Sequence, residues 1–148
     1  MDDCIFCKIV KGEIPCYKIY EDEDFLAFLD ISQFTRGHTL VIPKKHYRFI
    51  WDVDNMEGYG RAIKKICDHF NKNLGYKYVD TLSLGRMVHH AHMHIVPHNG
   101  EGGEWGVSLK KIGDMQQDES RRITHKEGEE IMEEFKLNNI YKDGSKER

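Results

Sequence analysis

Val88-His89-His90-Ala91-His92-Met93-His94-Ile95-Val96-Pro97 is the stretch on which both the fold and the chemistry of this chain turn. An extended strand points successive side chains to opposite faces. His90, His92 and His94 then share one face at intervals of roughly 7 Å, while Ala91, Met93 and Ile95 pack on the other. Five of the nine histidines fall between His89 and His98, too dense for incidental surface residues and too far from either terminus for an affinity tag. The bland alternative is a core strand with satisfied histidines.

The segments around this strand read as an α+β domain. Residues 17–21 and 25–29 form a strand pair joined by the acidic turn Glu21-Asp22-Glu23-Asp24, and the apolar run 39–43 is a third strand, bounded by Gly37 and by Pro43-Lys44-Lys45-His46. From Asp54, Met56, Tyr59, Ile63, Ile66, Cys67, Phe70 and Leu74 recur at three- and four-residue spacing, predicting one long helix that Gly75 stops. Its opposite face carries Lys64, Lys65, Asp68 and Lys72, a solvated surface. Residues 76–84 and 88–97 supply two more strands, for five in all. Beyond Pro97 the glycine-rich run to Gly106 reads as a flexible loop carrying Trp105, able to close over a ligand. Thr124 and Glu127 form a capping-box pair ahead of Ile131, Met132 and Phe135, which predicts a helix near 124–137, and the tail from Lys142 reads as frayed. The expected organisation is a domain over 1–105 and a C-terminal helical extension over 106–148.

Composition narrows the function. A chain of 148 residues, 39% hydrophobic, closes one core and offers one site. A net charge of -3 with interspersed lysines and acids excludes a general polyanion binder, so a phosphate is recognised locally and nucleic acid is not expected as a partner. No apolar run approaches the roughly 20 residues of a membrane span, and Met1-Asp2-Asp3-Cys4 has no basic start, which predicts a cytoplasmic protein with reduced thiols. Cys16 and Cys67 read as packing residues. Cys4 and Cys7 have the spacing of a zinc knuckle, with His46 and His90 available to complete a Cys2His2 tetrahedron, and an unmetallated buried pair or a redox pair stands as the alternative.

A neutral imidazole is nucleophilic at neutral pH, so a histidine of the row can attack phosphorus to give a phosphoramidate adduct that water then hydrolyses. A second histidine two residues along can donate a proton or hydrogen bond from the same face. Alternating histidines also serve zinc hydrolases, although these usually add an aspartate where Met93 and Ile95 stand.

Four ordered segments, Cys4-Ile-Phe-Cys-Lys-Ile-Val-Lys-Gly-Glu-Ile-Pro15, Tyr20 to Ile31, Gly37-His-Thr-Leu-Val-Ile-Pro-Lys-Lys-His46 and His90-Ala-His-Met-His-Ile-Val96, resemble the histidine triad (HIT) nucleotide-binding proteins. The nearest branch is that of the nucleoside phosphoramidases with zinc-bearing prokaryotic-type members. The resemblance implies an α+β fold with a five-stranded antiparallel sheet, usually a homodimer, acting on a purine nucleotide. It implies His92 as nucleophile toward the α-phosphate, His94 as the residue that contacts the phosphate and helps the leaving group, and His38 as their buried support. It implies Asp30 as the ribose-binding acid, with a turn cap as the alternative, and Phe6, Ile9 and Ile31 as an apolar base pocket, with plain core as theirs. His90 would brace the site or join Cys4, Cys7 and His46 around structural zinc.

The chain departs from the family at Arg86 and Met87, where relatives place an amide and a hydroxyl that hold the phosphate. Arg86 then either replaces them with a charge-assisted contact or faces solvent. Trp105 either reaches a partner's site or packs on its own domain. The expectation is a nucleotide hydrolase or transferase forming a nucleotidyl-histidine. A dinucleoside polyphosphate hydrolase, a zinc-stabilised nucleotide-binding module with little catalysis, and a hydrolase with catalytic zinc on the triad are the alternatives.

Overall fold

The computed structural model describes residues 3–100 and 102–137, so the expected frayed tail lies outside the described residues. The chain divides into two compact units, Met1–Val107 and Ser108–Arg148, against a division expected at 105/106.

In the first unit, β1 (Lys18–Glu21), β2 (Phe25–Leu29), β3 (Thr39–Pro43), β4 (Tyr78–Leu82) and β5 (Met93–His98) form one sheet in the order β1-β2-β3-β5-β4, each neighbouring pair antiparallel. Asp22 builds the first turn, its Oδ1 accepting from the backbone N–H of Asp24 (3.0 Å) and Phe25 (2.8 Å). Strand periodicity assigns the faces. Phe25, Ala27, Val41 and Ile95 bury themselves against Tyr59, Ala62, Ile66 and Phe70 of helix α2 (Met56–Asp68) and its π-helical continuation His69–Asn73. Leu26, Phe28, Leu40 and Ile42 turn the other way, onto Phe6 of the short helix α1 (Ile5–Val10). Each fully buried side chain of this size contributes about 1.5–3 kcal/mol. His94 lies opposite Leu40 across the β3–β5 ladder and therefore on the α1 face, whereas Met93 and Ile95 join the α2 face.

Two expectations are corrected on the sheet and the long helix. Strand β5 starts at Met93, not Val88, so His90 and His92 precede it. The β3 ladder ends at Pro43, whose carbonyl takes the His90 ring (2.7 Å), and the hydroxyl of buried Tyr59 donates to Val41 O (2.7 Å), opposite Met93. Side chains therefore take over from the β3–β5 ladder, joined by one backbone bond, Ala91 N to Tyr47 O (2.8 Å). The alternation nevertheless continues back to Ala91, which is buried on the α2 face. At the two ends of the long helix, Met56 of α2 and Leu74, the residue after its π-helical continuation, are exposed although they fit the apolar spacing.

The glycine-rich run is not all loop. Helix α3 (Gly103–Gln117) begins inside it, with Trp105 in its first turn. Leu109, Ile112 and Met115 continue the three- and four-residue spacing from Trp105, a signal the glycines mask. In the second unit, α4 (His125–Phe135) carries the expected capping box: Thr124 Oγ1 accepts from Glu127 N (3.2 Å) and Glu127 Oε2 from Thr124 N (2.7 Å). No helix among the described residues is long and apolar enough to cross a membrane.

Candidate functional site

The sequence places three imidazoles before and within β5, and the backbone around each decides which ring nitrogen carries its proton. A carbonyl oxygen only accepts, so a ring nitrogen bonded to one bears hydrogen in the neutral imidazole. His90 Nε2 lies 2.7 Å from Pro43 O, which leaves Nδ1 as the bare lone pair. His92 Nδ1 lies 2.7 Å from His90 O, which leaves Nε2 bare. That Nε2 makes no hydrogen bond among the described residues, and no buried side-chain nitrogen there lacks a partner, so it retains contact with solvent.

His94 is set through His38. The backbone N–H of Phe34 points at His38 Nδ1 (3.1 Å), and Ser32 O approaches the same atom at 3.2 Å. Ser32 O alone would call for a proton on Nδ1, but the Phe34 amide proton is permanent and its nitrogen is the closer partner, so Nδ1 is assigned as its acceptor and Nε2 as the carrier of the ring proton. His38 Nε2 donates to His94 Nδ1 at 2.9 Å, which puts the remaining proton of His94 on Nε2. The site thus combines a free lone pair on His92 with an N–H on His94, the two rings 5.1 Å apart between centroids. Burial, with the neighbouring His92 and His38, pushes His94 down to about 4, and burial also lowers His38 against the opposing charge of Asp30, so both are neutral at pH 7.

Among the remaining expected residues, Asp30 Oδ1 accepts from Ser32 N (2.8 Å), a turn cap, while its Oδ2 lies 3.8 Å from His38 Nε2. Phe6 is buried and packs edge-on against His92 (5.4 Å) and His90 (5.8 Å). Ile9 packs on the same cluster, but Ile31 is 88% exposed, so the three apolar residues do not share one buried environment. Arg86 is exposed on the turn after Gly85. Arg48, which no sequence pattern singles out, instead donates to Gly85 O (2.7 Å), and Ser83 Oγ donates to His92 O (2.9 Å). Both line a small cleft with Trp51 and His92.

Cys4, Cys7, His46 and His90 come together with all four ligand atoms within 4.8 Å of one another. The Cys4 sulfur caps α1, accepting from Cys7 N (3.4 Å), so the first turn of the helix brings the two thiols to one point. Cys7 Sγ lies 3.2 Å from His46 Nδ1, and His90 Nδ1 lies 3.5 Å from both sulfurs. Tetrahedral bonds of about 2.3 Å to sulfur and 2.0–2.1 Å to nitrogen give a sulfur–nitrogen edge of about 3.6 Å. The group can hold a metal ion, and the Pro43 carbonyl already directs the His90 lone pair into it. Burial and the adjacent Cys4 push the Cys7 thiol up, burial lowers His46, and burial brings His90 down to about 4, so without a cation these three groups favour their neutral forms.

Trp105 packs within its own unit. Its indole N–H donates to Asp80 Oδ2 (3.0 Å), and its ring stacks on Phe34 at 5.1 Å.

Comparison with known proteins agrees with this geometry. The HIT domain family model matches residues 11–101. "Protein hit" of Bacillus subtilis is 42% identical over 120 residues, 76% of this chain and 83% of that protein. The adenosine 5'-monophosphoramidase hnt1 of Schizosaccharomyces pombe is 39% identical over 113 residues, 72% of this chain and 80% of that one. A crystal structure of a HIT family protein from Bacillus anthracis covers 90% of this chain and 94% of its own at 34% identity, with a TM-score of 0.69. With the histidine row, its supporting His38 and a matching model over most of the first unit, the chain belongs to the HIT domain family.

Proposed function

We propose that this protein is a nucleotide hydrolase or transferase acting at the α-phosphate of nucleoside phosphoramidates or related nucleotides through a nucleotidyl-His92 intermediate. The observation that carries the reading is the solvent-reaching lone pair on His92 Nε2 beside His94, whose Nδ1 is held by His38 and whose assigned tautomer presents an N–H from Nε2. Nε2 of His92 forms a bond to phosphorus as the bond to the leaving amine breaks, and His94 supplies a hydrogen bond to that group or to a phosphate oxygen. Water then attacks the same phosphorus and His92 recovers its lone pair. Over the two steps one water is consumed, its hydroxyl ending on phosphorus and its proton on the amine.

Asp30 is the proposed ribose contact through Oδ2, Phe6 and Ile9 the proposed wall for a purine base, with Ile31 at the rim, and Arg86 a phosphate contact. His38 holds the tautomer of His94. The metal is proposed to be zinc, bound by Cys4, Cys7, His46 and His90, where it would tie α1 to the segment before β5. The two thiols, two imidazoles and the closed, four-donor arrangement support a structural ion. A cytoplasmic homodimer completes the reading.

The experiment is a panel of adenosine phosphoramidate, diadenosine polyphosphate and a nucleotide sugar, quenched early and searched by mass spectrometry for a nucleotide on His92. Release of AMP from the phosphoramidate with an adduct on His92, both absent in folded His92→Asn, is expected. Undiminished turnover in that variant refutes the mechanism, and preference for the polyphosphate would move the substrate class.

A further inference from the structure

The Phe34 backbone sets the tautomer of His38, yet Phe34 sits in an exposed loop and its ring is 42% exposed. That loop needs an anchor if the relay to His94 is to stay in register. Thr35 supplies one, donating to Pro97 O (2.6 Å). A second comes from residues that the histidine row does not account for. The Phe34 ring stacks on His38 (4.3 Å, 18° between planes) and lies over His94 (5.7 Å, 13°). Trp105 also stacks on Phe34, at 5.1 Å and 10°. The indole N–H of Trp105 is in turn held by Asp80 Oδ2, the atom that His98 Nε2 also approaches at 2.6 Å. Gly100 N donates to His98 Nδ1 (3.2 Å), so His98 too has its proton on Nε2 and gives it to the carboxylate, and Tyr78 stacks against its other side at 5.2 Å.

We propose that Asp80 and Trp105 are positioning residues for the His38–His94 pair: the carboxylate of Asp80 fixes the indole, the indole fixes the Phe34 ring, and Phe34 holds both the ring planes and the tautomer on which His94 depends. This rests on the reading of His94 as the hydrogen-bond donor to the reacting group. Neither residue touches that group. Asp80 lies on β4, and Trp105 lies at the start of α3, so this device ties the loop before β3 to the far edge of the sheet. Two acceptor sites on one oxygen, filled by an indole and an imidazole N–H, leave Trp105 a single orientation. The parallel rings then transmit it without any further polar contact.

The test uses the full chain, labelled with ¹⁵N-histidine, as wild type and as Trp105→Leu, Trp105→Phe and Asp80→Leu. Ring-nitrogen shifts report the tautomers of His38 and His94 whether or not any substrate turns over. Trp105→Leu and Asp80→Leu are expected to mix the two tautomers of His94. They are also expected to lower kcat for the phosphoramidate about tenfold with KM within about twofold of wild type, the pattern of misplacement rather than lost binding. Trp105→Phe keeps a ring against Phe34 but loses the N–H that Asp80 holds, and is expected to fall between wild type and Trp105→Leu in both kcat and ring shifts. Unchanged ring shifts in folded Trp105→Leu and Asp80→Leu would overturn the proposal. If Trp105→Leu does not fold, the Asp80→Leu shifts decide alone. A wild type that shows the expected ring shifts but turns over no phosphoramidate would overturn the catalytic reading and leave the positioning intact.

Discussion

Acidification from pH 7 to pH 5 should destabilise the protein through His94 by about 2 kcal/mol. The ring is 8% exposed, and burial with its two histidine neighbours places it at about 4 in the folded protein. In the unfolded chain it titrates near the ordinary 6.5. The folded state therefore holds His94 neutral where the unfolded state binds a proton, and acid favours unfolding. The contribution is complete above about pH 6.5, is reduced by just under 1 kcal/mol at pH 6 and by about 2 kcal/mol at pH 5, and is lost by about 3 kcal/mol below pH 4. His38 is depressed as well, so its contribution has the same sign and the wild type falls further than His94 alone requires. The assay is urea unfolding of wild type and His94→Gln at pH 7 and pH 5. The variant should lose about 2 kcal/mol less between the two pH values. An NMR titration in parallel should find His94 neutral at pH 5. A ring that titrates near 6.5, or equal pH dependence in both proteins, refutes the claim that His94 serves as a neutral donor.

Cys7→Ser, or a chelator added to wild type, should release one equivalent of metal and lower the thermal midpoint, since structural zinc sites contribute on the order of 10 kcal/mol to folding small metal domains. Metal analysis and circular dichroism on the same sample check it, and metal loss with an unchanged midpoint would show the ion to be dispensable for folding. Tyr59→Phe removes one hydroxyl, leaves Val41 O without its donor and keeps the stack on Phe25 at 5.1 Å. The expected cost is about 1–3 kcal/mol by urea unfolding, and a cost near zero would mean that the hydroxyl makes no net bond. Thr124→Ala breaks the capping box of α4 and should cost that helix about 0.5–2 kcal/mol, read as faster amide exchange over residues 125–135, with unchanged exchange counting against the cap.

The triad illustrates how little the imidazoles decide for themselves. His90, His92 and His94 are chemically identical, and their different capacities follow from what bonds the second nitrogen: Pro43 O, His90 O and His38 Nε2 respectively. One lone pair faces two thiols, one faces solvent, and the third ring is left with a donor. The same tautomer logic governs His98, where a backbone N–H on one nitrogen directs the other to Asp80.

Local sequence determined a good deal of this. The apolar runs 25–29 and 39–43, the helical period through Tyr59, Ile66 and Phe70, the acidic turn at Asp22 and the Thr124 capping box are all short-range signals, and each stands where its residues imply. The pairing of Cys4 and Cys7 with His46 and His90 was legible from residue type and spacing. What only the folded chain decided depends on residues remote in sequence. The start of β5 was set by a tyrosine from α2 and the end of β3, and the exposure of Ile31 by its loop. The column from Asp80 through Trp105 to Phe34 and His38 joins three segments with no common pattern. Periodicity tells which face a side chain takes. It carries no information about which distant carbonyl will claim a ring proton, because that is fixed only when the segments pack.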